Sequence, residues 1–188
     1  MKFYENAFRV RIPYSEIYRI HQNLDYLIQE KCAIKLPYSF NIQPGNADDA
    51  HILLRTSVAM GFPGEVCRSV TLKVGDAMPF VTTLTMIQRV NDGKRKREIT
   101  PPPELQKGYV TQRFSRAGFE LQELLVAPPE NFYVKKSVKD KAIVLPASIV
   151  RATGVVTSVE EAEKAIVYGV GRKRVFGFGL INLTGERG

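Results

Sequence analysis

Tryptophan is absent from this 188-residue sequence, and cysteine and histidine each occur only twice. Cys32 and Cys67 form no CxxC unit and have no histidine at metal spacing, so we expect reduced thiols rather than a disulfide framework or a zinc site. His21 and His51 are distant in sequence, and the carboxylates show no ligand spacing. The sequence therefore predicts neither a metal nor a cofactor.

Long apolar runs are also lacking. The longest, such as 50–54 and 142–146, fall far short of the roughly 20 residues that span a bilayer. The N-terminus alternates charged and apolar residues and carries no signal-peptide stretch. With 44% apolar and 24% charged residues, the composition is that of a folded protein. We expect a cytoplasmic protein without a membrane partner.

Positive charge is abundant and concentrated after Val90. The formal net charge is +8, of which residues 1–90 carry +2 (10 basic against 8 acidic) and the rest carry +6 (17 against 11). The excess forms three clusters: Lys94, Arg95, Lys96 and Arg97; Lys135, Lys136, Lys139 and Lys141; and Arg172, Lys173 and Arg174. Such clusters favour a polyphosphate partner, because each neutralised phosphate releases condensed counterions. A merely solvated basic face is the alternative.

The first half of the chain shows strand, helix and strand signals in turn. Residues 3–11 alternate as a strand, and an amphipathic helix follows an N-cap at Ser15 and ends near Lys31. Its apolar stripe consists of Ile17, Ile20, Leu24, Leu27 and Ile28. Further strands are predicted at 38–43, 51–56, 70–74 and 80–90, with a turn-rich connector at 60–64.

Residues 91–103 combine Asn-Asp-Gly, four basic residues and three prolines, which predicts a linker and a domain boundary. Beyond it we expect a helix at 104–117, extended segments at 119–127, 132–138 and 142–150, a helix between Ser158 (or Thr157) and Gly169, and a strand at 175–183. Both halves fit an α+β fold of two tandem ferredoxin-like (RRM-like, βαββαβ) domains, at 1–90 and 104–188.

Residues 169–179 form a glycine-rich segment that contains the Arg172 to Arg174 triplet. A Rossmann or P-loop turn runs from strand into helix, whereas this one runs from helix into strand, which argues against nucleotide binding. We predict that the backbone at Gly169 and Gly171 closely approaches a nucleic-acid backbone, with the three cations beside it. The alternative is that Gly169 is a helix C-cap and the later glycines serve packing.

His21 is the candidate proton donor or acceptor. On the predicted helix, Tyr18, His21 and Asp25 take positions i, i+3 and i+7 and can share one surface patch. An imidazole there exchanges protons near neutral pH, the tyrosine hydroxyl can hydrogen-bond, and Asp25 can orient His21 or raise its basicity. A structural or idle histidine at a helix margin is the alternative, and we interpret His51 as structural.

Three segments in this order resemble one known family: residues 14–24 (Tyr-Ser-Glu-Ile-Tyr-Arg-Ile-His-Gln-Asn-Leu), the strand at 51–55, and the glycine-rich segment at 169–180. They are similar to the CasE family of CRISPR-associated endoribonucleases of the type I-E Cascade, within the repeat-processing "Cas six" superfamily, or to a close type IV relative. The resemblance implies tandem ferredoxin-like domains and metal-independent cleavage of precursor CRISPR RNA beside a repeat stem-loop. It also implies that the enzyme retains the mature CRISPR RNA and joins other subunits of an effector complex.

The resemblance further implies that His21 is the catalytic histidine and Tyr18 its neighbouring tyrosine. The expected reaction is attack of an RNA 2′-OH on the adjacent phosphorus, giving 2′,3′-cyclic phosphate and 5′-OH ends, with base and acid not assigned between the two residues. Arg172 or Lys173 is the candidate to stabilise the phosphorane. Two other hypotheses are a non-catalytic RNA-binding scaffold subunit of a CRISPR ribonucleoprotein and a ribosome-associated or general RNA-binding module.

Overall fold

The structure, a computed structural model, describes residues 1–33, 35–91, 93, 96–137 and 139–184. Its first elements are β1 (Lys2–Val10), α1 (Ile17–Asp25) with a π-helical continuation (Tyr26–Lys31), β2 (Tyr38–Pro44), β3 (Ala50–Thr56) and β4 (Val66–Ser69). The later ones are β5 (Ala77–Thr85), β6 (Gln88–Asn91), β7 (Lys96–Ile99), α2 (Pro103–Ser115), β8 (Phe119–Val126), β9 (Glu130–Val134), β10 (Ile143–Val156), α3 (Val159–Tyr168), a 3-10 turn (Arg174–Phe176) and β11 (Asn182–Leu183). Among the described residues, no helix is long and apolar enough to cross a membrane.

Helix α1 buries the predicted stripe. Ile17, Ile20 and Leu24 recur every three or four residues and are buried. Ile20 and Leu24 pack against the first sheet, whereas Ile17 packs in a separate cluster described below. The N-cap is Glu16 rather than the predicted Ser15. The helix starts later because the amide of Glu16 donates to the carbonyl of Pro13 at 2.9 Å, which closes a turn before the first helical residue.

The first sheet has the strand order β2-β3-β1-β4, with all pairs antiparallel. This is the order of a ferredoxin-like unit, in which residues 57–65 connect β3 to β4 as a turn-rich loop in the place of the second helix. The prediction of a strand at 70–74 was wrong, since the ladder ends at Ser69. Val70 and Leu72 are buried in the core of the second unit, so side-chain packing rather than pairing explains their apolar alternation.

The second sheet has the order β11-β5-β10-β8, and β9 extends it by pairing with β10. The succession β5, α2, β8, β10, α3, β11 is a complete βαββαβ unit, which confirms the predicted fold class of tandem ferredoxin-like domains. The unit nevertheless begins before the predicted boundary, because β5 pairs with β10 along its whole length. The two sheets therefore divide the chain between Ser69 and Ala77, and not at 91–103.

The predicted linker contains a hairpin. Strands β6 and β7 pair antiparallel, with Gln88 opposite Ile99 and Asn91 opposite Lys96, and they form a separate two-stranded sheet between β5 and α2. The expected strand at 175–183 was also wrong. Its first part is the 3-10 turn, and only Asn182 and Leu183 pair with β5.

Apolar and polar contacts join the units. A small apolar cluster combines Ile17 of α1 with Val134 of β9, Leu145 of β10 and Phe178 of the glycine-rich segment. This cluster places the glycine-rich segment beside α1. The guanidinium of Arg55, whose side chain is only 3% exposed, forms a polar contact.

Arg55 is held by groups from both units. It pairs with Glu5 at 2.6 Å and donates to the carbonyls of Ile166 and Ile181 at 2.6 and 2.9 Å. Burial lowers the pKa of Arg55, and Glu5 opposes that shift. The hydroxyl of Ser39 donates to the carbonyl of Val167 at 2.7 Å. The first sheet thus satisfies carbonyls at the C-terminal end of α3, where the glycine-rich segment begins.

Candidate active site and nucleic-acid interface

The predicted face of α1 brings Tyr18, His21 and Asp25 together. The rings of Tyr18 and His21 meet edge to face with centroids 6.2 Å apart. The Nε2 atom of His21 lies 3.4 Å from the Oδ2 atom of Asp25. The expectation that the three side chains share one patch is confirmed.

The imidazole of His21 lies at the margin of the core, as the helical spacing predicts. Its side chain is 17% exposed, and its Nδ1 atom is buried without a hydrogen-bond partner among the described residues. Of the two ring nitrogens, this leaves Nε2, the one beside Asp25, as the candidate to meet a ligand at the surface.

A residue of the first sheet fixes the carboxylate of Asp25. The hydroxyl of Tyr38 donates a hydrogen bond to Oδ1 of Asp25, and the amide of Gln29 donates to the same oxygen at 3.3 Å. Burial first, and then the carboxylate, raise the pKa of Tyr38 well above its usual range. Tyr38 was missed in the sequence because no local spacing relates a residue of β2 to one face of α1.

The glycine-rich segment reaches the same patch through Phe176. The ring of Phe176 stands edge to face against that of His21, with centroids 5.6 Å apart, and lies 6.3 Å from that of Tyr18. The amide of Phe176 donates to the carbonyl of Lys173 at 2.9 Å. One hydrogen-bonded turn therefore separates the imidazole's aromatic neighbour from the cations of the segment.

Several glycines of the segment make room for the protein's own atoms. A Cβ on Gly169, which has φ +76° at the end of α3, would lie 2.8 Å from the carbonyl oxygen of Gly179. A Cβ on Gly171 would lie 2.5 Å from Leu84, and one on Gly177 would lie 2.9 Å from Ile42. Gly169 is thus the helix C-cap that the alternative interpretation expected. Contact of Gly169 and Gly171 with RNA stays a prediction.

The three cations of the segment already have partners. Arg172 and Lys173 each lie 2.9 Å from an oxygen of Glu98 on β7. Arg174 instead donates to the carbonyls of Tyr168 and Gly169 at 2.9 and 3.3 Å, which caps α3. Glu98 was missed in the sequence, although a lone acid directly after four basic residues is a usable signal.

A groove with a volume of about 1110 Å³ runs between the start of α1 and strand β9. Lys135 and Lys136 line it on one side and Arg19 on the other, beside the rings of Tyr14 and Phe132. The carboxylates of Glu16 and Glu130 also line the groove, and Glu16 pairs with Arg19 at 3.0 Å. Lysine side chains beside aromatic rings suit a nucleic-acid strand, because phosphates pair with the cations and bases stack on the rings.

Four further residues that the sequence predicts to contact RNA are exposed. Lys139 and Lys141 lie in the turn beyond Lys136, and Lys96 and Arg97 lie on β7. The predicted contacts Lys94 and Arg95 lie outside the described residues.

Metal-ligating side chains do not gather in the part of the chain that the structure describes, where no group of three or more His, Cys, Asp or Glu residues is placed to hold an ion. Cys32 and Cys67 are both free thiols.

Comparison with known proteins places this geometry in a family. Residues 68–184 match the family described as CRISPR associated protein, which is more than half of the chain. The chain belongs to that family. No curated protein matches the sequence.

Solved structures share the fold over nearly the whole chain. One is Cse3 of Thermus thermophilus bound to an RNA representing a pre-cleavage complex, with 14% identity, a TM-score of 0.74, and coverage of 98% of this chain and 99% of that one. Another is Cas6e of Escherichia coli K-12, with 13% identity, a TM-score of 0.73, and coverage of 99% and 100%. A chain of a CRISPR RNA-guided surveillance complex follows at 16% identity, a TM-score of 0.67, and coverage of 96% and 98%. At these identities the likeness establishes the fold.

Proposed function

We propose that this protein is an endoribonuclease that cuts precursor CRISPR RNA within the repeat, next to the stem-loop. The observation that carries the proposal is the meeting of His21 and Tyr18 with Phe176, which brings a proton-exchanging group and a cationic segment into one patch. Membership of a CRISPR-associated family, and a fold shared with structures described as CRISPR endoribonucleases, give that patch its substrate class.

The RNA supplies its own nucleophile in this reaction. The 2′-OH loses its proton to a base and attacks the adjacent phosphorus, while the bond from phosphorus to the 5′-oxygen breaks and that oxygen takes up a proton. The products are a 2′,3′-cyclic phosphate and a 5′-OH. His21 acts as base or acid through Nε2, and Tyr18 orients the attacking hydroxyl or shares the proton transfer.

Charge on the phosphorane requires a cation close to the reacting phosphate. Arg172 and Lys173 are the candidates, because the carbonyl of Lys173 bonds to the amide of Phe176, whose ring touches the imidazole. The RNA stem itself presents a groove too deep and narrow for side-chain contact with its bases. Recognition of the stem therefore rests on its shape and on phosphate contacts from the basic clusters, including Lys135 and Lys136.

The test is cleavage of labelled repeat RNA by wild type, His21→Ala and His51→Ala, each in EDTA. We expect His21→Ala to lose about 10² to 10⁴-fold in rate while binding the stem-loop nearly as well, since a positioned acid or base contributes that much. His51→Ala, which removes the other imidazole from an exposed position on β3, should cut normally. Wild-type products should carry cyclic phosphate ends.

Three results would contradict the proposal. Cleavage that requires Mg²⁺ would contradict a reaction that proceeds in EDTA, and cleavage that survives His21→Ala unchanged would remove the imidazole from the reaction. Tight hairpin binding without any cyclic phosphate product would favour the scaffold subunit instead. We further propose that the enzyme keeps the mature CRISPR RNA and carries it into a complex with other subunits, which co-purification of processed RNA would test.

A further inference from the structure

The carboxylate of Glu98 binds two cations of the glycine-rich segment, Arg172 and Lys173. Its Oε1 lies 2.9 Å from Nη2 of Arg172, and its Oε2 lies 2.9 Å from Nζ of Lys173. A third cation, Arg89 on the neighbouring strand β6, approaches Oε1 at 3.9 Å. The carboxylate and its two close partners are each about one quarter to one third exposed, so the cluster is at the surface.

The carboxylate resembles an RNA phosphate in charge and in shape. A hydrogen bond from Lys173 is the largest cause that lowers the pKa of Glu98, so the group carries a full negative charge at neutral pH. A phosphodiester also carries one negative charge and presents two free oxygens. Each oxygen of Glu98 takes a different cation, which is the arrangement that such a phosphate would make with Arg172 and Lys173.

The backbone at Arg172 and Lys173 is held in place without help from Glu98. The carbonyl of Arg172 accepts a hydrogen bond from the hydroxyl of Thr85 at 2.9 Å, and the turn after Lys173 is closed by the amide of Phe176. The Nε atom of Arg172 is buried without a hydrogen-bond partner among the described residues. Glu98, by contrast, lies on a two-stranded hairpin separate from both main sheets, and all four residues of its strand are exposed.

We propose that the Glu98 carboxylate occupies the position of an RNA phosphate on Arg172 and Lys173, and that RNA binding exchanges one anion for the other. The inference rests on the proposed function only in taking RNA as the ligand. On binding, the hairpin moves Glu98 away from Arg172 and Lys173, and the two cations bind a backbone phosphate instead. The free energy of the lost ion pairs lowers the affinity for RNA.

The test compares wild type, Glu98→Gln and Glu120→Gln for binding of a ten-residue oligouridylate over a range of salt concentrations. Glu120 is an exposed acid on β8, so its variant removes the same charge away from the cluster. Glu98→Gln should bind about threefold to tenfold more tightly, because the competing ion pairs are lost, with an unchanged salt slope. Glu120→Gln should stay within about twofold of wild type.

A double variant, Arg172→Ala with Lys173→Ala, tests whether the gain in affinity depends on these two cations. It should reduce the slope of log K against log salt by roughly 0.7, since the one phosphate contact that the two cations share is lost from a single strand. In that background Glu98→Gln should give no gain.

Three outcomes would overturn the inference. They are a Glu98→Gln affinity equal to that of Glu120→Gln, a weaker one with an unchanged melting temperature, or a gain that persists without the two cations. Because the oligouridylate has no hairpin and no cleavage is scored, these outcomes are separate from a failure of the proposed nuclease activity.

Discussion

The hydroxyl of Tyr38 donates a hydrogen bond to Asp25, the carboxylate that also faces Nε2 of His21. Strand β2 thereby fixes the orientation of a group on α1. Burial, followed by the effect of Asp25, raises the pKa of Tyr38 well above its usual range, so the phenol stays protonated and remains a donor at neutral pH.

Replacing Tyr38 with Phe tests that link through pH. A raised folded-state pKa contributes stability that is fully present below the unfolded value near 10 and is lost as the pH rises above it. At pH 7 we expect Tyr38→Phe to lower the free energy of unfolding by about 1.5 to 3 kcal/mol, the value of a hydrogen bond to a charged group. Between pH 9 and pH 11 the variant should lose less stability than wild type. Urea unfolding measures both, and Tyr26→Phe, an exposed phenol on the same helical segment, serves as the control.

The groove between α1 and β9 gives a prediction about salt. Lys135 and Lys136 line it, so changing both to Ala should weaken hairpin RNA binding. The slope of log K against log salt should fall by roughly 1.8, at about 0.9 per phosphate contact. A double change of the exposed Lys2 and Lys73 removes equal charge elsewhere and should alter the slope little. Equal slopes for the two double variants would exclude the groove from the RNA path.

Arg55 gives a prediction about stability. Arg55→Ala removes one partner of a buried ion pair, which leaves Glu5 with the partly exposed Arg68 alone and removes the guanidinium from two carbonyls. The loss should cost about 3 to 5 kcal/mol in the free energy of unfolding. Arg68 pairs with the same glutamate but is 35% exposed, so Arg68→Ala should cost less than about 1 kcal/mol. Chemical denaturation measures the free energy of unfolding of both variants. A similar decrease for the two would contradict the role assigned to Arg55.

Two glycines in contrasting positions provide a matched pair. At Gly179, with φ +83°, a Cβ would lie 1.9 Å from the carbonyl oxygen of Val170, so Gly179→Ala should destabilise the fold by about 1 to 3 kcal/mol or more. At Gly108, inside α2, nothing lies within 4 Å of a Cβ, and Ala should stabilise the helix by up to about 1 kcal/mol. Thermal melts of the two variants should therefore shift in opposite directions.

Much of the fold could be predicted from the sequence because local signals agree with tertiary packing. The apolar stripe of α1 specifies which face is buried, and the helical spacing then places Tyr18, His21 and Asp25 along the margin of that face. Gly169 ends α3 with the positive φ expected of a glycine C-cap.

Prediction failed where contacts distant in sequence decide the structure. In the 88–99 hairpin, strand β7 is exposed throughout and lacks apolar alternation, so the composition of residues 91–103 indicated a linker, although Asn91 opens an Asn-Asp-Gly turn signal. The segment after Arg174 looked extended, yet its path follows from backbone bonds between Val170 and Gly179 at 2.8 Å and between Gly179 and Thr83 at 2.8 Å. Glu98 and Tyr38 were missed for the same reason.

The position of the β6–β7 hairpin makes it an exchangeable part. The hairpin is inserted between β5 and α2. Its length and side chains can therefore change without altering the register between β5 and β10. Natural variation and grafting can therefore both act there, giving chains with one common scaffold and different surfaces beside Arg172 and Lys173.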